Sequence, residues 1–116
     1  MKMQHVTIQT NRFEEEINFY ENVVGLTIQN DNRPEMDLVF LANAAGETCI
    51  EIINNPDADD SGNNNLSIGF HTDDLVKLRG ELSAEGYAVT PIIVPVPGVQ
   101  FFFVTDPAGV QIQFIC

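Results

Sequence analysis

From Met3 to Gln9 apolar and polar residues alternate, with Val6 and Ile8 on one side and His5, Thr7 and Gln9 on the other. A period of two marks a strand with one buried face. The period then lengthens: Phe13, Ile17, Tyr20 and Val24 fall on one side of a helix. Asn11, with Glu14 three residues on, forms a capping box at its start, and Gly25 supplies the stop. Strands are predicted over residues 26–30, 37–44 and 47–53, so this half reads strand, helix, three strands.

The second half repeats that order. Leu66, Ile68 and Phe70 make the apolar side of a strand whose other side holds Ser67, Gly69 and His71. Thr72 or Asp73 caps a helix with Leu75, Leu78 and Leu82 inward, and Gly86 ends it. Strands over 88–94 and 99–105 flank a stiff "PVPG" turn at 95–98. Pro107 and Gly109 suit a tight hairpin, since proline presets a turn dihedral and glycine accepts a positive one. The last strand places Val110, Ile112 and Phe114 on one side and Gln111, Gln113 and Ile115 on the other.

The repetition is also literal. "NAAGETCIEII" at 43–53 answers "DPAGVQIQFIC" at 106–116, and "HVTIQTNRF" at 5–13 answers "SIGFHTDDL" at 67–75. Glu51 follows His5 by 46 residues and Gln113 follows Ser67 by the same 46, so a strand-and-helix unit is duplicated whole. At 116 residues the two copies close into a single domain, with module one at 1–54, a polar linker at 55–65 and module two at 66–116.

Charge narrows the partners. Seventeen acids against five bases give a net −12 with no basic cluster, which repels a phosphate backbone or an anionic membrane. The expected partner is a small molecule, with no nucleic acid and no membrane. Cys49 and Cys116 have neither metal nor redox spacing, the amino terminus lacks an apolar signal core, and no apolar run approaches the ~20 residues of a membrane span. A reduced, cytoplasmic protein is expected.

Each module has one helix, and a helix covers one face of a sheet, so the apolar strand faces should lie beneath the helices. The opposite faces carry His5, Thr7, Cys49, Glu51, Ser67, Gly69, His71, Gln111 and Gln113, an acceptor-rich set that should converge on a cleft. For any one of these residues a solvated sheet face is sufficient explanation. The equal spacing of His and Glu in one copy and Ser and Gln in the other argues for a shared site. Phe101, Phe103, Phe40 and Tyr87 are candidate stacking surfaces.

"HVTIQTNRFEEEINFYENVVGLTI", "TCIEII", "LSIGFHTDDL" and "DPAGVQIQF" together resemble the four signature stretches of the vicinal oxygen chelate superfamily, which includes glyoxalase I, bleomycin-resistance proteins and extradiol dioxygenases. The resemblance implies an α+β fold of two tandem βαβββ modules, forming a U-shaped, mostly antiparallel eight-stranded sheet with a central cleft around a divalent metal. It places the metal ligands at His5 and Glu51 in module one and at Ser67 and Gln113 in module two. The family usually has histidine where Ser67 stands and glutamate where Gln113 stands. Imidazole and carboxylate bind zinc, nickel, manganese or iron(II) well, an amide carbonyl is an acceptable neutral ligand, and a serine hydroxyl is a poor one. The ligand set reduces to His5, Glu51 and Gln113, for one divalent metal weakly bound or absent. His71, about 13 Å along the strand from Ser67, is too far to replace it.

Two functions stay open. One is a small-molecule-binding protein of the bleomycin-resistance type that sequesters a cationic or aromatic ligand, with Thr7, Cys49, Ser67, His71, Phe101, Phe103 and Gln111 lining the site. The other is a metal-dependent lyase or isomerase resembling glyoxalase I, in which Glu51 is the catalytic residue that moves a proton. Few Arg or Lys residues are available to hold the carboxylates of glutathione or the phosphates of coenzyme A. A facial-triad dioxygenase would need His at 67 and Glu at 113. Exposed sheet edges point to a homodimer, with the cleft inside one chain or across two.

Overall fold

The computed structural model describes residues 1–61 and 63–116, which fall into two compact units, Met1–Asp60 and Ser61–Cys116. In the first unit the elements are β1 (His5–Thr10), α1 (Phe13–Asn18), a π-helical turn (Phe19–Val24), β2 (Thr27–Asp31), β3 (Leu38–Ala42) and β4 (Cys49–Asn54). They form a four-stranded sheet in the order β1-β4-β3-β2, with β1 parallel to β4 and the other pairs antiparallel. Ile8, Val39, Leu41, Ile50 and Ile52 pack against Phe13, Ile17, Phe19 and Tyr20 as the core. The π-helical turn widens the buried stripe, so the neighbours Phe19 and Tyr20 are both enclosed, edge to face with ring centroids 5.3 Å apart. Val24, expected on that stripe, is only half-buried.

The expected capping box does not form. Asn11 donates to the Ala58 carbonyl at 3.3 Å and Glu14 accepts from Arg33 at 3.3 Å, while Arg12 holds the N-cap position with no side-chain cap. Gly25 does stop the helix, in the left-handed region at φ 87°, and the next N–H, of Leu26, donates to the Tyr20 carbonyl at 2.8 Å. Arg33 clamps Asp31 with its Nε (2.9 Å) and Nη2 (2.6 Å), and this bonding holds the Asp31 carboxyl down at about 2.

The second unit contains β5 (Ser67–His71), α2 (Leu75–Ala84), β6 (Ile93–Val96), β7 (Val99–Thr105) and β8 (Gln111–Ile115). Its sheet has the same design: order β5-β8-β7-β6, with β5 parallel to β8. The core is Phe102, Val104, Val110, Ile112 and Phe114 with Leu75 and Leu82 from α2, whereas Leu78 is half-buried. Neither Thr72 nor Asp73 caps α2. The Thr72 N–H donates to Ile115 and prolongs the sheet, Asp73 pairs with His71, and Asp74 accepts from the Lys77 N–H at 3.1 Å.

The strand expected over 88–94 is displaced. Val89 makes one bridge to Val104 and Thr90 bonds to Phe103, then Pro91 interrupts, and pairing resumes as β6 from Ile93 to Val96. Proline has no N–H to give the ladder. Since Val96 pairs with Val99, the turn is Pro97-Gly98, with Gly98 at φ 87°. The hairpin before β8 is closed by buried Asp106, whose Oδ1 accepts from the Ala108 and Val110 N–H groups, both at 2.9 Å.

The α+β fold of two βαβββ modules is observed, its eight strands falling into two four-stranded sheets, each with two of its three pairings antiparallel. The expected linker is anchored rather than free: Asn55 bonds to Thr10 and Gln9 in the first unit, and Asn63 donates to Ala108 in the second. Among the described residues no helix is long and apolar enough to cross a membrane.

Candidate functional site

In the first unit the parallel pairing of β1 with β4 sets His5 beside Cys49 and Thr7 beside Glu51. Strand alternation turns these four side chains to the face opposite α1, and β3 adds Phe40 directly across from Glu51. The Thr7 hydroxyl donates to Glu51 Oε1 at 2.5 Å, and His5 Nε2 lies 3.5 Å from the same oxygen. The imidazole stands edge-on to Phe40, with ring centroids 5.6 Å apart. Glu51 is only 8% exposed. Its polar partners are one hydroxyl and one imidazole.

The second unit repeats the arrangement with different chemistry. Ser67 pairs with Gln111 and Gly69 with Gln113, each 62 residues beyond its counterpart in the first unit, and Phe103 lies across from Gln113 as Phe40 does from Glu51. Gly69 stands where Thr7 would be. A Cβ there would meet Gln113 Oε1 at 3.4 Å, an ordinary contact, so the lack of a side chain is not forced by crowding. Phe101 and Phe103 pack edge to face at 5.7 Å and both stay half-buried.

Not every expected residue joins these groups. Gln111 turns to donate to Thr105 Oγ1 at 3.0 Å, and the Cys49 thiol donates to the Glu47 carbonyl at 3.5 Å. His71 lies at the end of β5, exposed, with Nε2 3.0 Å from Asp73 Oδ1. Phe40 was expected as a stacking surface but with no face assigned to it, and one feature, the buried Glu16, escaped the sequence reading. Phe40 sits in "LVFLA", where every residue is apolar, so no alternation reveals which face it takes. Glu16, fully buried on α1, stands three residues after Phe13 and four before Tyr20, so helical spacing alone sets it on the buried stripe apart from exposed Glu14 and Glu15.

The sequence matches the family described as Glyoxalase/Bleomycin resistance protein/Dioxygenase superfamily over residues 2–114. The chain belongs to this superfamily. A search of curated proteins finds no sequence relative. Among solved structures, a trypanothione-dependent glyoxalase I from Leishmania major is similar at TM-score 0.77 and 22% identity, covering 99% of this chain and 86% of that one. An antibiotic-binding protein from Streptomyces sp. CB03234, TnmS3, gives 0.74 and 20%, with coverage of 98% and 93%. The bleomycin resistance determinant of transposon Tn5 gives 0.69 and 17%, with coverage of 99% and 97%. At these identities the likeness extends to the fold.

Several members of the superfamily hold a divalent metal, so the donor set of this member matters. The 3.5 Å between His5 Nε2 and Glu51 Oε1 is close to the ~3.3 Å that separates two ligands of a tetrahedral zinc. Beyond that pair the set runs short. Among the described residues no three His, Cys, Asp or Glu side chains gather, and Thr7, bonded to Glu51, would add only a neutral hydroxyl, a poor ligand. Within the first unit the pair supplies two strong ligands, one fewer than the three that catalytic zinc sites take from protein.

Proposed function

We propose that this superfamily member binds and sequesters a cationic, aromatic small molecule on the polar faces of its sheets. The observation that carries the reading is Glu51, a shielded carboxylate with an aromatic ring across the strand from it and a hydroxyl fixing one oxygen. A cation placed over Phe40 meets the ring's negative face and the carboxylate together. In the second unit Phe103, across from Gln113, and Phe101, edge to face with it, offer aromatic surface to a ring. The net charge of −12 raises the local concentration of cations. Two structural neighbours named for bleomycin resistance and antibiotic binding support the same reading. In this reading the protein is cytoplasmic and homodimeric.

Titration calorimetry with a planar organic cation such as ethidium, at 50 and 500 mM salt, tests it. Micromolar to sub-millimolar binding that weakens with salt is expected. Absence of binding at millimolar ligand, or affinity indifferent to salt, would overturn the electrostatic reading.

The His5–Glu51 separation favours one second reading, a divalent-metal-dependent lyase or isomerase resembling glyoxalase I, with Glu51 moving the proton. It requires stoichiometric zinc, nickel, manganese or iron in protein purified without chelator, together with turnover of methylglyoxal and glutathione. Absence of both removes it.

A further inference from the structure

We infer that the polar sheet face of the second unit binds a neutral, planar lactam or imide ring through the Gln113 amide; this deepens the sequestration reading, on which it rests for the ring, and gives the second unit a ligand chemistry of its own. Two glutamines stand on that face of β8, and register gives them different surroundings. Gln111 lies between Ser67 on β5 and Thr105 on β7, and its amide donates to Thr105 Oγ1 at 3.0 Å. Gln113 lies between Gly69 and Phe103, neither of which has a polar side-chain atom, and among the described residues its amide takes no protein partner. In the first unit Thr7 bonds Glu51 from the position that Gly69 occupies here, so the internal donor is the group this copy lacks. Gln113 is half-buried, as are Phe101 and Phe103. An amide shielded this far and left to water is a place where a ligand of matching polarity can replace the water.

The side chain selects the ligand. A primary amide presents an acceptor and a donor side by side, and the group that satisfies both at once is another cis amide, as in a lactam, an imide or a pyrimidinone. A carboxylate meets the donor but sets its second oxygen against Oε1, and an ammonium meets Oε1 but opposes the N–H. Charge agrees with this choice. Residues 86–105, which include β6 and β7, and 110–116, which include β8, contain no Asp, Glu, Lys or Arg, and β5 adds only His71, at its far end beside Asp73. A charged ligand would lose its hydration here with no opposite charge to replace it.

Planarity comes from the rings. Phe103 stands directly across the antiparallel ladder from Gln113, at a Cβ separation of about 4.5–5.5 Å, so a ring seated on Phe103 brings its edge within reach of the amide. Phe101, edge to face with Phe103 at 5.7 Å, extends the aromatic surface. Two hydrogen bonds and one stacked ring on a half-open face hold a fragment weakly, with a dissociation constant on the order of 1 to 10 mM.

Amide-resolved NMR of the full chain at 50 and 500 mM salt tests the proposal with two probes: 2-pyridone, a neutral six-membered lactam, and 1-methyl-2-pyridone, which keeps the ring and carbonyl but lacks the N–H. Saturable shifts at the Gly69, Phe103 and Gln113 amides are expected with 2-pyridone, equal at both salts because no charge is involved. The methylated probe should bind roughly fivefold more weakly or worse, the loss that one hydrogen bond carries. Gln113→Leu, close in volume, and Gln113→Glu, which keeps the shape without the donor, should each weaken 2-pyridone by at least the same roughly fivefold while leaving circular dichroism unchanged. No saturable shift up to 100 mM 2-pyridone, or shifts confined to the first unit, overturns the site. Equal affinity for the two probes, or Gln113 variants that bind as the wild type does, overturns recognition through the amide. Ethidium binding is measured separately: its absence beside intact 2-pyridone binding removes the cation reading and keeps this site, and the reverse removes this site alone.

Discussion

Replacing Glu51 by glutamine removes one charge and almost no volume, and leaves an oxygen to accept from Thr7. The carboxylate is already largely out of water before any ligand arrives, so most of its own desolvation is met in folding. A cation about 4 Å away gains about 4 kcal/mol at an effective dielectric of about 20. Desolvation of the cation takes back part of this, and contacts to a charged group net about 1.5–3 kcal/mol. Glu51→Gln should therefore weaken an organic cation roughly 10- to 150-fold, at 1.4 kcal/mol per tenfold. Salt separates this local effect from the field of the whole chain. Raising salt from about 0.1 M to about 1 M shortens the screening length from about 10 Å to about 3 Å, which weakens both proteins but leaves a contact at shielded Glu51 largely intact. The wild-type to variant affinity ratio, measured by calorimetry with ethidium at both salts, should stay within about threefold. A ratio near one at either salt would refute the assignment of Glu51 as the cation's partner.

Other perturbations probe the frame. With Arg33 beside it, Asp31 should titrate near 2 by carbon-detected NMR, and Arg33→Gln should return it toward 3.8. Because the folded value lies below the ordinary one, this pair supports the fold above about pH 3.8, and its contribution disappears as pH falls through about 2. Asp106→Ala strands two buried N–H groups and should cost about 2–4 kcal/mol in urea unfolding, with Asp106→Asn recovering most of it. Ile112→Ala, at a fully buried position, should cost about 2–5 kcal/mol in the same measurement. Gly86→Ala, at φ 94° with open space around it, should lose about 1–2 kcal/mol from backbone strain alone, whereas Gly69→Ala should leave stability nearly unchanged.

Duplication was legible because each copy must solve the same burial problem. Strand alternation at Val6 and Ile8, the glycine stops at Gly25 and Gly86, and the 46-residue interval between paired motifs are local or additive features, and period alone fixes which face each residue takes. The same periodicity put His5, Thr7 and Glu51 on one face of their sheet and Ser67, Gly69 and Gln113 on one face of theirs. Competition between partners was less legible. Asn11 abandons a capping box for Ala58, 47 residues on and brought near only by folding, while Asp74 rather than its neighbour Asp73 caps α2 and Gln111 bonds Thr105 across the β7–β8 hairpin. The shift of β6 to Ile93–Val96 depends on which backbone groups β7 still has to offer after Val89 and Thr90 have bonded. Register likewise put Phe40 across from Glu51 and Phe103 across from Gln113. The sequence alone determined the two modules and their polar faces, because these follow from the spacing of side chains along one strand. Only the tertiary structure decided which groups touch, because hydrogen bonds and ring contacts are settled between strands far apart in the chain.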